Sequence, residues 1–482
     1  MNILVLNPAS EFAKNVVRDV LYGCWCGGKR IGGGTVPPFA LIQAASVLKN
    51  DGHRVRFIDA QAQQLPFEAL RPEVERADMV VMASAAMTFR EDAAFLARVK
   101  EVNPATLTAL FGAHPTFMPG YCLSSPAVDA VLRREPEPAL RGLARALALG
   151  QEWRTVPGIA FRRDGQVVLN PDMPFMEDLD ELPFPDVSFL PADIHYFNPI
   201  VRRLPYMTAS TSRGCPGRCT FCTAPAFDGH RVRYQSADYV VREMEYFRAH
   251  GFREVYFRDD TFFVNKARDH EICRALIAKK ADITWLAHAR IGLIDGETMR
   301  LARQAGCHTL KFGVESGVQK ILDRSHKGYR VEQAAEAFAW AREAGLRTHA
   351  HVMLGMPGDT EETLRTTVRW IVKKLKPSTA TFGVCTPYPG TPLFDEVAAA
   401  FPAIRDGSAS DFKRLHTEAL YNTHFCDVPP DALSAWVRRA YRAFYLSPRV
   451  WAETLLSVRS ADDLKKYLLT ASHLFTFMMK GE

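Results

Sequence analysis

Ser212-Arg-Gly-Cys215-Pro-Gly-Arg-Cys219-Thr-Phe-Cys222 is the stretch of this 482-residue chain that decides its fold. It places three cysteines within eight residues, directly after a predicted strand at 206–210. Thiolates are the usual ligands of iron–sulfur clusters, and three of them can hold a cubane while leaving one iron open to a substrate. A zinc knuckle needs a fourth ligand nearby, whereas His230 lies eight residues beyond the last cysteine. Three inert buried thiols are a second alternative, disfavoured in a Gly/Pro-rich basic loop. The stretch predicts a [4Fe–4S] cluster.

From residue 206 toward the C-terminus, short apolar runs alternate with segments that have the periodicity of a helix. The predicted strands are 206–210, 254–257, 283–287, 309–313, 348–354 and 379–384. The predicted helices are 237–249, 266–279, 296–304, 331–343 and 361–375. About six βα units predict a partial (β/α)6 barrel of the TIM type, in which functional residues lie at the carboxyl ends of the strands.

The N-terminal part shows the same alternation. The predicted strands are 3–7, 55–59, 79–83, 107–111 and 128–132, and the predicted helices are 40–49, 68–75, 91–102 and 138–147. Strands separated by helices of this length predict an α/β fold with a doubly wound, Rossmann-like parallel sheet. Ligands bind such sheets beyond the carboxyl ends of the strands. The small residues in the loops at 7–9, 83–86 and 112–116 suit either a large flat ligand or tight turn packing.

The chain divides into four predicted segments. Residues 1–150 form the doubly wound domain and 205–429 the barrel. Between them, 151–204 contain a hairpin around Asp164-Gly165 and a proline- and acid-rich linker at 176–186. Residues 430–482 are predicted to be helical. These helices either line a substrate pocket that admits a lipid-like molecule or only pack against the barrel.

Composition indicates a globular protein, and the sequence predicts no membrane-spanning helix. Hydrophobic residues make up 47% and charged residues 24%, and the net charge is only +6. No block of like charge indicates a nucleic-acid partner. No apolar run reaches the roughly 18 residues of a membrane-spanning helix, and residues 1–8 predict a buried strand and not a signal peptide. We therefore expect a cytoplasmic protein whose ten cysteines stay reduced.

The Cys-x3-Cys-x2-Cys spacing, with Phe221 before the last cysteine, resembles the signature of the radical S-adenosylmethionine superfamily. The resemblance implies that Cys215, Cys219 and Cys222 hold the cluster, with Phe221 beside the cofactors. It also implies that S-adenosylmethionine chelates the open iron. An electron from a reducing partner such as flavodoxin or ferredoxin then cleaves S-adenosylmethionine and gives a 5′-deoxyadenosyl radical. The protein positions and shields the cluster, S-adenosylmethionine and the radical.

The same resemblance assigns cofactor contacts at the ends of the next strands. Asp259 and Asp260 follow the second strand, where the family contacts the methionyl amine; the acidic pair departs from the family's Gly-Gly-Glu, so a backbone carbonyl is an alternative. Arg290 follows the third strand and is a candidate partner for the methionyl carboxylate. Each of these side chains lies at a strand end, where function is favoured over a purely structural ion pair.

Three later strand ends complete the predicted barrel site. Glu315, in Lys311-Phe-Gly-Val-Glu315-Ser316, resembles the family's ribose contact, and Ser316 lies beside it; a buried ion pair is the alternative for Glu315. Met356 lies in a turn resembling the family's adenine-contacting segment, although packing is the favoured explanation for its side chain. Tyr388 is a candidate substrate or cofactor contact.

A doubly wound domain before the barrel resembles the cobalamin-binding branch of this superfamily, over nearly the whole chain. The resemblance implies cobalamin contacts from the loops at the strand ends: Asn7, Pro8, Ser84, Gly112, His114, Thr116 and Glu135. The Asp-x-His-x-x-Gly motif that supplies an axial histidine in many cobalamin proteins is absent. Pro136 occupies a turn that is usually Gly-Glu-Gly-Glu, where it removes an N–H donor.

A glycine-rich loop follows the first strand and contains Gly23-Cys24-Trp25-Cys26. Cys24 and Trp25 are candidate substrate contacts. A loop with unreactive thiols is the alternative, because no further metal ligand is adjacent. Its three glycines 32–34 lack the Lys-Ser/Thr of a phosphate loop.

The resemblance predicts a cobalamin-dependent radical enzyme that methylates an unactivated carbon of a small-molecule or lipid-like substrate. One alternative is an oxidative or ring-forming enzyme like the anaerobic Mg-protoporphyrin ester cyclase. Another, from a different class, is a noncatalytic cobalamin or iron–sulfur sensor. A methylthiotransferase is disfavoured, because that family carries a second three-cysteine cluster site in its N-terminal domain.

Overall fold

The computed structural model of the chain describes residues 1–18, 25–26, 29–30, 34–405, 419, 421–458 and 461–480. For residues 25–26, 29–30, 461–463, 465 and 480 it describes the backbone alone. Cys24 therefore lies outside the described residues, and so does the side chain of Trp25.

The N-terminal part is a mixed sheet with helices on both faces. Its strands are β1 (Asn2–Asn7), β2 (Trp25–Cys26), β3 (Lys29–Arg30), β4 (Arg54–Asp59), β5 (Met79–Ala83), β6 (Leu107–Phe111), β7 (Ala130–Leu132), β8 (Ile159–Arg163) and β9 (Gln166–Leu169). Its helices are α1 (Phe39–Asn50), α2 (Ala60–Gln63), α3 (Phe67–Arg76), α4 (Phe89–Val102), α5 (Ala113–Phe117), α6 (Pro119–Leu123) and α7 (Pro136–Ala148).

The sheet order is β4-β1-β5-β6-β7-β8-β9, and β2 forms a separate pair with β3. Strands β4 to β7 and β1 run parallel, which confirms the predicted doubly wound arrangement. The hairpin β8–β9 joins the same sheet antiparallel to β7, so the sheet continues beyond residue 150. The central strands are buried on both faces, as their continuous apolar runs require.

The second part is an open barrel. Its strands are β10 (Tyr206–Ala209), β11 (Ser212–Arg213), β12 (Arg233–Tyr234), β13 (Glu254–Phe257), β14 (Thr284–Ala289), β15 (Cys307–Glu315), β16 (Arg347–Leu354) and β17 (Thr379–Val384). Its helices are α8 (Ala224–Asp228), α9 (Ala237–Ala249), α10 (Lys266–Ala278), α11 (Gly296–Gln304), α12 (Gln319–Arg324), α13 (Val331–Glu343), α14 (Glu361–Trp370) and α15 (Pro392–Ala400).

Six strands form one parallel sheet in the order β10-β13-β14-β15-β16-β17, which confirms the predicted partial barrel. Helix α14 ends five residues earlier than predicted, and residues Ile371–Leu375 form a π-helical turn. The N–H of Lys376 donates to the carbonyl of Ile371, and the left-handed conformation of Lys376 ends the helix.

Between the two sheets the linker adds short 3-10 turns, and more follow near the C-terminus. They are Trp153–Thr155, Leu179–Glu181, Val187–Phe189, Pro402–Ile404 and Asn422–His424. Side chains from both parts of the chain bind backbone carbonyls of the linker. Gln43 of α1 donates to the Pro183 carbonyl, and Tyr239 of α9 donates to that of Leu182. The linker therefore fixes α1 against α9.

The C-terminal residues are helical, as predicted: α16 (Pro430–Tyr445), α17 (Pro448–Ser457) and α18 (Ala461–Lys480). Helix α16 covers β17, the last strand of the open barrel. Tyr445 Oη donates to the Ala380 carbonyl at 2.7 Å, and Tyr441 packs edge-on against Phe382. Among the described residues, no helix is long and apolar enough to cross a membrane.

A buried ion network joins the N-terminal sheet to the barrel. Arg213 of β11 binds Glu137, at the start of α7, through two hydrogen bonds of 2.6 and 3.0 Å. Arg233 of β12 lies 2.6 Å from Glu135 in the turn before α7. Burial would lower the pKa of Arg213, but the Glu137 carboxylate outweighs it and raises that pKa. The Arg213 guanidinium therefore stays charged at this boundary.

We expect Glu137→Ala to loosen this boundary. The substitution leaves Arg213 buried with only the more distant Glu135, at 3.7 Å. Removing one member of a buried ion pair costs about 3–5 kcal/mol of unfolding free energy. The urea midpoint of the purified chain, followed by circular dichroism, should fall accordingly. Glu297→Ala removes an exposed partner of Lys266 and is the matched control, with a much smaller shift expected. Equal shifts in the two variants would contradict the role assigned to the network.

Candidate active site

The three motif cysteines lie in the loop between β11 and α8. The N–H of Cys215 donates to the Gly229 carbonyl at 3.1 Å, and the N–H of Cys222 donates to the Cys219 carbonyl at 3.2 Å. Gly214 has a positive φ of 99°, and a Cβ there would lie 2.5 Å from the Arg231 carbonyl oxygen, so only glycine fits. All three cysteines face one cavity of about 290 Å³. The sequence motif therefore forms one site.

The thiols suit a cluster better than a single metal ion. Within the described ranges, no three His, Cys, Asp or Glu side chains surround a point that one ion can occupy. Thiolates that bind three different irons of a cubane need not converge on one point, and Cys215, Cys219 and Cys222 line the same cavity, as a cluster would require. Burial, followed by the Asp260 carboxylate, raises the pKa of Cys215 and of Cys222. These thiols therefore lose their protons when they bind metal.

Arg290, at the end of β14, lies beside the cysteine loop. Its Nη1 is 3.6 Å from Cys219 Sγ, and its Nη2 donates to the Lys327 carbonyl. A Cβ on Gly217 would lie 2.8 Å from Nη1, so this glycine gives the guanidinium its space. Burial would lower the Arg290 pKa, but the neighbouring Cys219 thiol raises it. The group is a fixed positive charge at the cavity wall, and its role toward a carboxylate stays a prediction.

Glu315 ends β15 in a left-handed conformation with φ of 60°, beside a register shift between β15 and β16. Its Oε1 accepts from Lys327 Nζ at 2.6 Å, and both side chains are buried. A Cβ on Gly313 would lie 2.5 Å from that oxygen, so this glycine makes room for the pair. A side chain held in this conformation inside a cavity is typical of a functional site.

Lys327 is the functional candidate that the sequence analysis missed. Its Nζ lies 5.7 Å from the centre of the Phe221 ring, which places the lysine between Glu315 and the cysteine loop. Burial would lower its pKa, but the Glu315 carboxylate raises it. The position in Lys327-Gly-Tyr, twelve residues after Glu315, gives no local signal, because only the fold brings the two together.

Asp259 and Asp260 take different positions after β13. The Oδ1 of Asp259 accepts from the N–H and hydroxyl of Thr211 and from the Ser212 hydroxyl, at 2.6–2.9 Å. Asp259 thus braces the chain that leads into the cysteine loop. Asp260 lines the cavity, and burial followed by the Asp259 charge raises its pKa to about 7. Of the two, Asp260 is placed to meet a cofactor.

Ser316 and Met356 point away from the site. Ser316 Oγ lies 3.1 Å from Thr367 Oγ1 on α14. Met356 is fully buried, and its N–H donates to Asp359 Oδ2 at 2.9 Å. Among the described residues that line the cavity, neither side chain is included, whereas Tyr388 is. The cofactor contacts assigned to Ser316 and Met356 stay predictions, and Tyr388 is the one of the three whose side chain lines the cavity.

The carboxyl edge of the N-terminal sheet carries a buried polar network. Asn7, at the end of β1, donates to Asp59 and accepts from Arg18 at 2.8 and 2.9 Å. Arg18 also forms an ion pair of 2.8 Å with Asp92, which accepts from Ser84. The predicted Asn7 and Ser84 thus lie together, next to buried Pro8. Arg18 and Asp92 were not predicted, since neither belongs to a motif.

The remaining predicted residues surround the loop after β6. Gly112 has φ of 122°, and a Cβ there would lie 2.8 Å from the Ser84 carbonyl oxygen. His114 packs beside the Phe89 ring, and burial lowers its pKa to about 3, so it is neutral. Thr116 Oγ1 accepts from the Arg134 N–H. Glu135 is engaged by Arg233 and by the Met176 N–H. A cofactor role for these residues stays a prediction.

Comparison with known proteins agrees with both halves of the structure. The model of the radical SAM superfamily matches residues 209–371, and that of the B12 binding domain matches residues 32–144. An uncharacterized methyltransferase of Pyrococcus horikoshii is 31% identical over 426 residues, covering 88% of this chain and 90% of the relative. The anaerobic magnesium-protoporphyrin IX monomethyl ester cyclase of Rubrivivax gelatinosus is 30% identical over 77% of this chain and 68% of its own.

Among solved structures, the radical S-adenosylmethionine methyltransferase TsrM of Kitasatospora setae, with cobalamin and a [4Fe–4S] cluster bound, has a TM-score of 0.71. It is 17% identical and covers 98% of this chain and 99% of its own, so this likeness concerns the fold. The fold and site together define a radical S-adenosylmethionine enzyme. More narrowly, the chain belongs to the cobalamin-binding family of these enzymes, whose cofactors are a [4Fe–4S] cluster, S-adenosylmethionine and cobalamin.

The cysteine assignment predicts the iron content of variants. Replacing Cys215, Cys219 and Cys222 together by alanine should abolish iron and sulfide incorporation during anaerobic reconstitution, because no thiolate then remains in the loop. Cobalamin binding, read from its visible absorbance, should persist. Cys426→Ala, a buried cysteine elsewhere, is the control and should keep its iron. Iron retained by the triple variant would rule out the assignment.

The Glu315–Lys327 pair predicts the affinity for S-adenosylmethionine. Glu315→Gln removes a charged acceptor, so binding of S-adenosylmethionine to the cluster-loaded protein should weaken about tenfold to a hundredfold. Isothermal titration gives the affinity. Glu254→Gln is the matched control, because Glu254 is a buried glutamate of β13, two strands from β15 in the same sheet, that binds His308 at 2.9 Å, away from the cavity. An equal loss of affinity for S-adenosylmethionine in both variants would mean that Glu315 has a structural role and does not contact the cofactor.

Proposed function

We propose that this chain methylates an unactivated carbon of a small-molecule substrate in the cavity between its two halves. The observation that supports this most directly is the cavity wall. Val17 and Val36 from the N-terminal part line the same cavity as Cys215, Cys219 and Cys222 from the barrel. A group bound at the carboxyl edge of the doubly wound sheet therefore faces a group bound at the cysteine loop.

When bound, the cluster and S-adenosylmethionine supply the radical that removes a hydrogen atom, and cobalamin supplies the methyl group. The residues of the chain hold and shield these partners. Arg290 presents a positive charge to a carboxylate, and Glu315 presents acceptor oxygens to hydroxyl groups. Lys327 keeps Glu315 in place through their 2.6 Å contact. Apolar side chains such as Val36 exclude water from the region between the cofactors.

The remaining assignments follow from this scheme. Residues 1–150 would bind cobalamin, 205–429 would bind the cluster and S-adenosylmethionine, 151–204 would hold the two parts together, and 430–482 would close the barrel edge. A reduced flavodoxin or ferredoxin in the cytoplasm would supply the electron. The substrate carries a carbon with no acidic proton, because only such a carbon requires radical activation.

An oxidative cyclase is the second candidate, supported by the 30% identity to the ester cyclase over 77% of this chain. Its reaction would add no methyl group and would form no S-adenosylhomocysteine. The two candidates are therefore separated by the fate of the S-adenosylmethionine methyl group. A noncatalytic sensor would produce neither 5′-deoxyadenosine nor S-adenosylhomocysteine.

The experiment is anaerobic reconstitution with iron, sulfide and cobalamin, followed by S-adenosylmethionine labelled in its methyl group and a strong reductant. Mass spectrometry should detect both 5′-deoxyadenosine and cobalamin-dependent S-adenosylhomocysteine. With cell extract as substrate source, one labelled methyl group should appear in a product. Formation of 5′-deoxyadenosine without S-adenosylhomocysteine would contradict methylation and would favour the oxidative reaction.

A variant ties this outcome to the shared cavity. Val36→Trp should fill the space between the two halves and suppress S-adenosylhomocysteine, while the cysteine loop keeps its iron. Val167→Trp, on the exposed face of the hairpin, is the matched control. Full S-adenosylhomocysteine formation by Val36→Trp would mean that the transfer does not take place in this cavity.

A further inference from the structure

The interior of the barrel carries a second group of polar side chains, deeper than the cysteine loop. They project from neighbouring strands into the cavity that contains the cysteines: Tyr256 on β13, His288 on β14, Lys311 on β15, and His349 and His351 on β16. The site described above uses none of them. They occupy interior positions that the apolar core of a barrel would otherwise fill.

Three of these side chains form a directed chain of hydrogen bonds. His288 Nδ1 lies 3.0 Å from the Asp259 carbonyl oxygen, an acceptor, so this nitrogen carries the proton. His288 Nε2 therefore accepts from the Tyr256 hydroxyl at 3.1 Å. The Tyr256 oxygen in turn accepts from Lys311 Nζ, which lies 4.8 Å from the centre of the same ring. The ammonium group is thus held at the cavity wall.

The other two imidazoles are fixed by threonines of β17. His349 contacts Thr379 Oγ1 at 2.8 Å and Thr381 Oγ1 at 3.2 Å, and His351 Nδ1 contacts Thr381 Oγ1 at 2.9 Å. Burial, followed by the charge of Lys311, lowers the pKa of both rings. The imidazoles are therefore neutral at neutral pH, and the positive charge of this region comes from Lys311 and from Arg258, which also lines the cavity.

The other end of the cavity carries charges of both signs. Its described lining residues include the carboxyl groups of Asp260, beside the cysteine loop, and of Glu315, and the cations Arg290 and Lys327. Glu315 follows Lys311 by four residues on one strand, a distance of about 13 Å. The cavity thus has a deep end that offers an ammonium group, imidazoles and hydroxyl groups. A metal ion is disfavoured there, because the ammonium repels it.

We propose that the deep end of the barrel binds an anionic oxygen group of the substrate, a carboxylate or a phosphoryl group, with Lys311 as its cationic partner. His351 and Thr381 border the same space and offer hydrogen bonds to the anion. The assignment of this anion to the substrate rests on the proposed function; the anion site itself does not. An anchor at this depth leaves the rest of the substrate extending toward the cysteine loop.

The experiment titrates the cluster-loaded, full-length protein with inorganic phosphate and, separately, with acetate, at constant ionic strength set by chloride. Isothermal titration should show saturable binding of at least one of the two. Lys311→Met keeps the length of the side chain and removes its charge, so binding should weaken about tenfold to a hundredfold. Lys279→Met, which removes an exposed lysine bound to Glu245, should bind as the unaltered chain does.

The two probes identify the chemistry. Phosphate binding alone assigns a phosphoryl group, and acetate binding assigns a carboxylate. If Lys311→Met does not fold, as judged by its thermal midpoint, His351→Gln takes its place, with weaker binding expected. The proposal is overturned if neither anion binds, or if both bind the variants as tightly as the unaltered chain.

S-adenosylmethionine also contains a carboxylate, and its affinity separates the two ligands. A loss of S-adenosylmethionine binding in Lys311→Met as large as the loss of anion binding would assign Lys311 to the cofactor and overturn the proposal. None of these titrations requires cobalamin or turnover. Failure of the anion site is therefore distinct from failure of methylation, which is measured by S-adenosylhomocysteine.

Discussion

The ion network between Arg213, Arg233, Glu135 and Glu137 is the interaction on which the site depends. Its charges are buried at the boundary between the doubly wound sheet and the barrel. If the two parts separated, water would have to solvate the guanidinium and carboxylate groups individually. When the two parts dock, these groups bind each other through hydrogen bonds. Arg213 lies two residues before Cys215, so the same contact that joins the two parts also positions the loop that carries the thiols.

This docking explains why an incomplete barrel is sufficient. A six-stranded sheet leaves its interior open on one side, which would expose a reactive radical to water. Helix α16 covers the outer face of β17, and the carboxyl edge of the N-terminal sheet approaches the mouth of the cavity through Val17 and Val36. Each half of the chain therefore supplies part of a wall that the other half lacks.

The sequence predicted the elements well and the side-chain partners poorly. Strands β5, β6, β13 and β17 were predicted with their observed bounds. The short apolar runs of β5 and β6 are typical of strands buried on both faces, whereas β17 alternates threonine or glycine with apolar residues. The cysteine loop was predicted because its ligand spacing is local. Lys327 and Arg18 were not, because each acquires its partner only when distant segments meet. The hairpin was predicted, but its pairing with β7 depends on the edge that the folded sheet offers.

One signal for the deep polar group was present in the sequence. In Arg347-Thr-His349-Ala-His351-Val-Met353, polar residues alternate with small or apolar ones, as in a strand whose two faces differ. Lys311 two residues before Gly313 shows the same alternation on β15. These polar positions belong to no motif, so they were not singled out. Their common direction becomes evident only from the register that pairs Lys311 with His349.

The two ends of the cavity place opposite demands on what binds there. Near the cysteine loop, Glu315 and Lys327 neutralise each other at 2.6 Å, so this end suits a group that carries both charges, such as an amino acid zwitterion. At the deep end, Lys311 and neutral imidazoles suit a ligand with one negative charge. In the proposed arrangement the carboxylate of S-adenosylmethionine takes Arg290 at the cysteine-loop end, which leaves the cation at the deep end for an anion of the substrate. The carbon that reacts is then selected by its distance from that anion.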